Sequence, residues 1–298
     1  MSIYTNQTLN LKKIKAFGFD MDHTLVRYNT KAFEQLAYDK IKEKLVSIKK
    51  YPKAVLDLKF NFKKAIRGLV IDRKRGNLIK LSYYGIIKSS YHGKRELSFK
   101  EQKEIYHGQI ADLSDDNFRT VDTAFSIAHA AIFAQLVDMK DNEYSNKLPD
   151  YAQMEEDILY VLDLSHRDDT LKSEVRNNLK KYVIKDPEVV IALERLKKAG
   201  KILWTITNSD HHYTKILMDY AINPFLKNHK SWSELFDITV TLASKPRFFT
   251  DRLPFLSVDE ETGLLNNTTN PELRGIFQGG NGIELQKFYN LDPSEILY

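Results

Sequence analysis

Ile14-Lys15-Ala16-Phe17-Gly18-Phe19-Asp20-Met21-Asp22 is the stretch that sets the fold. It is largely apolar up to Phe19 and then carries two carboxylates with one residue between them. A short apolar run closed by turn residues has the pattern of a buried strand in a parallel sheet. Ligands of open α/β sheets bind in the crevice outside the carboxyl ends of the strands. A strand ending in Asp-x-Asp therefore presents two acids to that crevice. One carboxylate is suited to attack a phosphorus atom, and the other to give and then take back the leaving group's proton. Aspartates also flank strands simply as turn residues, so the pair gains meaning only from its company.

That company comes late in the chain. Lys201-Ile202-Leu203-Trp204-Thr205-Ile206-Thr207 is a second strand candidate, and it runs into Asn208-Ser209. Hydroxyls and main-chain N–H groups at a strand-to-helix turn suit phosphate oxygens. The same residues also make helix caps, a role open to Ser209 or Asp210. A third apolar run, Asp237 to Ala243, leads to Ser244-Lys245-Pro246. A lysine there can offset the charge of an aspartate plus a phosphoryl group. Taken alone it would be an ordinary surface lysine.

Asp20-Met21-Asp22-His23-Thr24, then Thr207-Asn208-Ser209, then Lys245-Pro246 behind a strand, resemble the motifs of the haloacid dehalogenase-like phosphatases. Phe17-Gly18-Phe19 before the first motif and Arg247-Phe248-Phe249 after the last are similar to the cytosolic purine 5′-nucleotidases of the IMP/GMP-preferring type. So are Arg67-Gly68-Leu69-Val70, Gly76-Asn77-Leu78-Ile79-Lys80, Tyr182-Val183-Ile184-Lys185-Asp186 and Gly279-Gly280. The resemblance runs from about residue 14 to the end.

The resemblance implies Mg²⁺-dependent hydrolysis of nucleoside 5′-monophosphates through an aspartyl-phosphate. Asp20 would be the nucleophile and Asp22 the acid and base. Thr207, Asn208, Ser209 and Lys245 would hold the phosphoryl group. Mg²⁺ would sit on Asp20 and the main-chain carbonyl of Asp22. Phe125, Asp163, His166 and Lys172 match positions that read base and ribose. The family's arginine in that stretch is replaced by Leu159, which leaves another small phosphoester open as the substrate. In the family, the strand matching Glu295 to Tyr298 leads into a Gly-Asp turn with further acids that complete the metal site. Without them, this stretch by itself is expected to bind Mg²⁺ poorly and to turn over little substrate. A non-catalytic phosphate-binding role is the alternative. The resemblance also implies a homo-oligomer.

Residues 21–200 separate the first two strand candidates, far more than a usual βα connection. An inserted domain must lie between them. The expected architecture is α/β: a parallel Rossmann-like core sheet with helices on both faces, built from 1–28 and 186–298, and a large, mostly helical cap over 29–185. A lid of this kind excludes bulk water from phosphoaspartate chemistry. Within the insert, Thr30 to Ile48, Phe118 to Met139, Leu148 to Leu164 and Asp169 to Tyr182 have helical patterns, and 68–72 with 78–83 form a hairpin. Asp186-Pro187 opens an amphipathic helix with Val190, Leu193 and Leu196 on one face and Gly200 as its stop. The polar stretch 259–275 is expected to be a loop.

Composition bounds the remaining classes. The chain has 298 residues, 42% hydrophobic and 29% charged, a globular balance. No stretch approaches the ~20 apolar residues that span a bilayer, and the lysines at 12, 13 and 15 have no apolar signal-peptide core behind them. There is no cysteine, so disulfides and thiolate metal sites are excluded, and a cytoplasmic location is expected. Lys and Arg number 45 against 40 Asp and Glu, a net charge of +5 that suits an anionic small molecule. No nucleic-acid motif accompanies it. The basic run Arg73-Lys74-Arg75 falls at the hairpin turn, where it is either solvated or an anion contact. His129, in an apolar helix, is expected in a core or an interface. His211 and His212 are not spaced as a zinc site.

Overall fold

The computed structural model describes residues 10–298 apart from 63–67, 83, 108–110, 112, 122–126 and 268–271. Two compact units emerge. The first joins the chain up to Asn29 with Arg176–Tyr298, and the second is Thr30–Val175.

The first unit is built on a seven-stranded sheet, its strands numbered here in chain order. They are β1 (Ala16–Phe19), β2 (Ile202–Ile206), β3 (Ile238–Thr241), β4 (Phe255–Val258), β5 (Leu265–Asn267), β6 (Gly275–Gly279) and β7 (Ile296–Leu297). Their order across the sheet is β5-β4-β6-β3-β2-β1-β7. The five strands from β6 to β7 pair in parallel, with Phe17 opposite Leu203 and Ile238 opposite Trp204. β4 and β5 extend one edge in antiparallel fashion. Thus the polar stretch 259–275, expected to be a loop, contributes an edge strand. It pairs by main-chain hydrogen bonds and presents no apolar face, since all three β5 residues are exposed.

The central strands explain the apolar runs. All four residues of β3 are buried, as are the last four of β2, so each strand is covered on both faces. Trp204, Ile206, Ile238, Val240, Phe255 and Phe277 belong to one packed cluster. The helix Pro187–Lys198 feeds β2. The Asp186 carboxylate accepts from the Glu188 N–H at its start, Val190 and Leu193 are buried, and Gly200 beyond its end has φ 73°. Lys197 Nζ lies 2.6 Å from Asp237 Oδ2, which also accepts the Leu203 N–H at 2.8 Å. One carboxylate therefore ties the helix to β2.

The second unit adds a sheet to the helices expected of it. It does hold the helices Thr30–Ser47, Phe99–Ile105, Ile127–Asn142, Tyr151–Arg167 and Thr170–Asn177, the last running just past its boundary. It also holds a five-stranded antiparallel sheet: Arg95–Glu96, Ile87–His92, Asn77–Leu81, Leu69–Asp72 and Phe118–Val121, in that order. Phe118–Val121 was expected to begin the long helix. It instead pairs along its whole length with Leu69–Asp72, whose four buried residues need a partner on that side.

The Arg73-Lys74-Arg75 run does lie at the hairpin turn, yet its arginines fold back onto carboxylates. Arg73 Nε is 2.9 Å from the fully buried Glu155, and Arg75 is 3.1 Å from Asp72. His129 is 2% exposed, and burial together with Arg119 pushes its imidazole down to about 3. No helix among the described residues is long and apolar enough to cross a membrane.

Candidate active site at the carboxyl ends of β1, β2 and β3

Three adjacent parallel strands deliver the first unit's polar residues to one edge. β1 ends at Phe19 before Asp20, β2 at Ile206 before Thr207, and β3 at Thr241 before the loop that carries Lys245. Asp20 Oδ1 accepts the Met21 N–H at 2.7 Å and lies 2.9 Å from Lys245 Nζ. Among the described residues, Oδ2 carries no hydrogen bond. The Asp20 side chain is 42% exposed, against 13% for Lys245. Asp20 thus offers one oxygen held by donors and one open oxygen, as an attacking carboxylate needs.

Asp22 has a different setting. Tyr28 Oη donates to its Oδ1 at 2.6 Å, and Ser209 Oγ donates to its Oδ2 at 2.8 Å. Tyr28 and Tyr213 are both 4% exposed, and their hydroxyls are 3.1 Å apart. Burial and the charge of Asp22 push both phenols upward, so they stay protonated. Two carboxylates two residues apart therefore occupy contrasting environments, the condition for dividing nucleophile and acid–base roles.

The turn after β2 divides its labour. Asp210, not Ser209, caps the helix His211–Ala221, accepting the Tyr213 N–H at 2.9 Å. Ser209 is thereby released to Asp22. Thr207 is fully buried, and its Oγ1 accepts the Ser209 N–H at 3.1 Å. Asn208 holds the main chain of Lys245 at both ends of its amide: Oδ1 accepts the Lys245 N–H at 2.7 Å, and Nδ2 donates to the Lys245 carbonyl at 3.2 Å. The Lys245–Pro246 peptide is cis.

Three non-glycine residues around this edge have positive φ: His23 at 61°, Leu242 at 44° and Ser244 at 58°. Such backbone costs about 1–3 kcal/mol per residue and clusters at functional sites. Lys245 also donates to Tyr298 Oη at 2.7 Å, and that hydroxyl donates to the Ile206 carbonyl at 3.2 Å. Gly18 is required beneath that ring, because a Cβ there would come within 2.6 Å of Tyr298 Cδ2.

The remaining expected residues lie in the second unit. Asp163 and His166 are on the helix Tyr151–Arg167, and Lys172 is on Thr170–Asn177. Asp163 pairs with Arg167 at 2.6 Å, both side chains 64% exposed. Burial, reinforced by Lys172 and opposed by Asp163, lowers His166 and favours its neutral form. Phe125 lies outside the described residues. Among the described residues, no three His, Asp or Glu side chains gather as a metal cluster.

Tyr28 and Tyr213 had no signal in the sequence. Tyr28 belongs to a two-residue strand, Arg27–Tyr28, paired with Val183–Ile184, and Tyr213 lies 185 positions further along.

A model of the 5′-nucleotidase family matches residues 3–298. A 5′-nucleotidase domain-containing protein of Dictyostelium discoideum is 30% identical over 296 residues, which cover 97% of this chain and 49% of that protein. The human 5′-nucleotidase domain-containing protein 2 is 26% identical over 313 aligned positions, covering 100% of this chain and 58% of that protein. The chain spans about half the length of these relatives.

Proposed function

The chain belongs to the 5′-nucleotidase family, and on that premise we propose that the protein carrying it hydrolyses nucleoside 5′-monophosphates to nucleoside and phosphate. The observation that carries this reading is the contrast at one sheet edge: Asp20 with an open oxygen beside Lys245, and Asp22 held by hydroxyls. Asp20 attacks phosphorus while Asp22 protonates the departing ribose oxygen, leaving an aspartyl-phosphate. Asp22 then takes a proton from the water that cleaves it. Lys245 and Thr207 balance and orient the phosphoryl oxygens, whose charge the site must meet, while Ser209 acts through Asp22. Asn208 acts on Lys245, since it fixes the lysine's main chain at two points.

Mg²⁺ is the cation proposed for this edge. The Asp20 carboxylate is a hard ligand of the kind Mg²⁺ uses with phosphate and water. The main-chain carbonyl of Asp22 would join it, and the ion would supply charge neutralisation for the transferring group. A purine nucleotide of the IMP/GMP type is the proposed substrate, read by Phe125, Asp163, His166 and Lys172.

Phosphate release from IMP and GMP, measured with and without Mg²⁺ for the native protein and Asp20→Asn, tests the proposal. Mg²⁺-dependent release that disappears in the variant supports it. Asp20→Asn retaining more than about a tenth of the activity, a loss under ~1.4 kcal/mol, rules out the nucleophile. Release from sugar phosphates but not from IMP or GMP would move the substrate class instead.

A further inference from the structure

Resting on that phosphatase reading, we propose that Tyr28 and Tyr213 are positioning residues, a buried hydroxyl relay that aims Asp22 at the leaving oxygen. Two separate elements meet on this one carboxylate, and a third reaches it through Tyr28. Tyr28 comes from the short strand Arg27–Tyr28, fixed by its pairing with Val183–Ile184 and by the Asn29 N–H donating to the Tyr182 carbonyl at 2.7 Å. Tyr213 comes from the first turn of His211–Ala221, whose start is capped by Asp210. Ser209 comes from the turn after β2.

The direction of the relay follows from proton counting. A carboxylate only accepts, so Tyr28 spends its single proton on Asp22 Oδ1 at 2.6 Å. At 3.1 Å, the Tyr213 hydroxyl must then be the donor to Tyr28 Oη. Ser209 holds the other oxygen at 2.8 Å. A hydroxyl on each oxygen fixes the plane of the carboxyl group as well as its position. Tyrosine suits this task, because two torsions place a rigid ring and a hydroxyl at its far end.

In the step served, the bond from phosphorus to the ribose oxygen breaks, the bond from Asp20 to phosphorus forms, and the proton of Asp22 moves to the ribose oxygen. Proton transfer is needed only when the leaving group is a poor one. An alkoxide requires it, whereas p-nitrophenolate leaves without it. A residue that aims the acid should therefore matter for nucleotides and far less for p-nitrophenyl phosphate. A residue that merely satisfies a buried carboxylate would not distinguish the two.

The experiment compares kcat/KM for IMP and for p-nitrophenyl phosphate in the native protein, Tyr28→Phe, Tyr213→Phe and the double variant. kcat/KM reports steps up to phosphoryl transfer and excludes cleavage of the phosphoenzyme. Tyr28→Phe is expected to lower the nucleotide value by about 10–100-fold, the scale of a misplaced catalytic group. The ratio of p-nitrophenyl phosphate to nucleotide values rises at least about 10-fold with it. Tyr213→Phe gives a smaller shift in the same direction and adds nothing on top of Tyr28→Phe, because it acts through Tyr28.

Equal losses on both substrates, or none on either, overturn the relay. Should Tyr28→Phe fail to fold, Tyr213→Phe alone decides by the same ratio. Asp20→Asn, run alongside, reports on the phosphatase reading itself. If it stays active on both substrates, that reading fails and the relay falls with it.

Discussion

Lys245→Met separates what the lysine does for the fold from what it does for the reaction. Its Nζ is 2.9 Å from Asp20 Oδ1. At an effective dielectric near 20, two unit charges at that distance attract by about 6 kcal/mol before solvent competes. Asp20 is 42% exposed, so water recovers most of that on loss of the partner. The net stability change is expected to stay within about 1 kcal/mol, a Tm shift of about 2–4 °C for a unit of this size.

Catalysis has a different reference state. When a phosphoryl group arrives, its negative charge is added beside Asp20, and the methionine in place of the lysine offers it no donor. Removing one preorganised donor from a developing oxyanion costs about 2.7–4 kcal/mol, or 10²–10³ in kcat. Phosphate release from IMP and thermal melting, measured on the same preparations, check both halves. Lys245→Arg should not rescue, since a planar fork cannot replace a point charge fixed by Asn208 at its main chain. An activity loss under tenfold, or one explained by a melt lowered by 10 °C or more, would refute the reasoning.

Other outcomes follow from the same contacts. Asp22→Asn should accumulate phosphoenzyme from p-nitrophenyl phosphate, detectable by acid-quench trapping, because that leaving group needs no proton while the base that activates water is gone. Gly280→Ala should cost about 3 kcal/mol by chemical denaturation: the backbone has φ 77°, and a Cβ would come within 2.2 Å of the buried Phe255 ring. Asp186→Ala should cost about 1 kcal/mol through loss of the Glu188 N–H cap. His129 gives a pH dependence. Its folded value of about 3 lies below the ordinary 6.5, so the unfolded chain binds a proton that the folded one refuses. Stability is therefore lost as pH falls from about 6.5 towards 3, by up to about 1.4 kcal/mol per pH unit. Subtracting the pH profile of His129→Gln from that of the native protein should isolate this slope; a flat difference would sink it.

The sequence carries the centre of the first unit's sheet because its central strands are buried on both faces. β1, β2 and β3 appear as apolar runs, each followed by a polar residue that the topology then places at one edge. The sheet of the second unit is hidden for the opposite reason. Ile87–His92 buries only Ile87 and Ser90 fully, so it shows no apolar alternation. Phe118–Val121 shortly precedes a strongly apolar helix and is only four residues long, so periodicity alone does not divide them. Its pairing with Leu69–Asp72 is non-local, and no window of the sequence contains it.

The site was legible to the extent that it depends on residue type at strand ends, and illegible where it depends on which hydroxyl meets which carboxylate. Asp20, Asp22, Ser209 and Lys245 are brought together because parallel strands end on the same side. The assignment of Asn208 could not be read that way. An amide beside a phosphate motif is an obvious ligand, yet here both of its ends are spent on the Lys245 main chain. The cap had the same ambiguity. Ser209 and Asp210 are equally good caps by type, and the choice of Asp210 is what leaves the Ser209 hydroxyl for Asp22. A single cap preference thus sets the environment of the acid. Asp20 stays half-open beside a cation while Asp22 accepts from two hydroxyls, so two chemically identical side chains two positions apart are set in the contrasting environments that the proposed nucleophile and acid need.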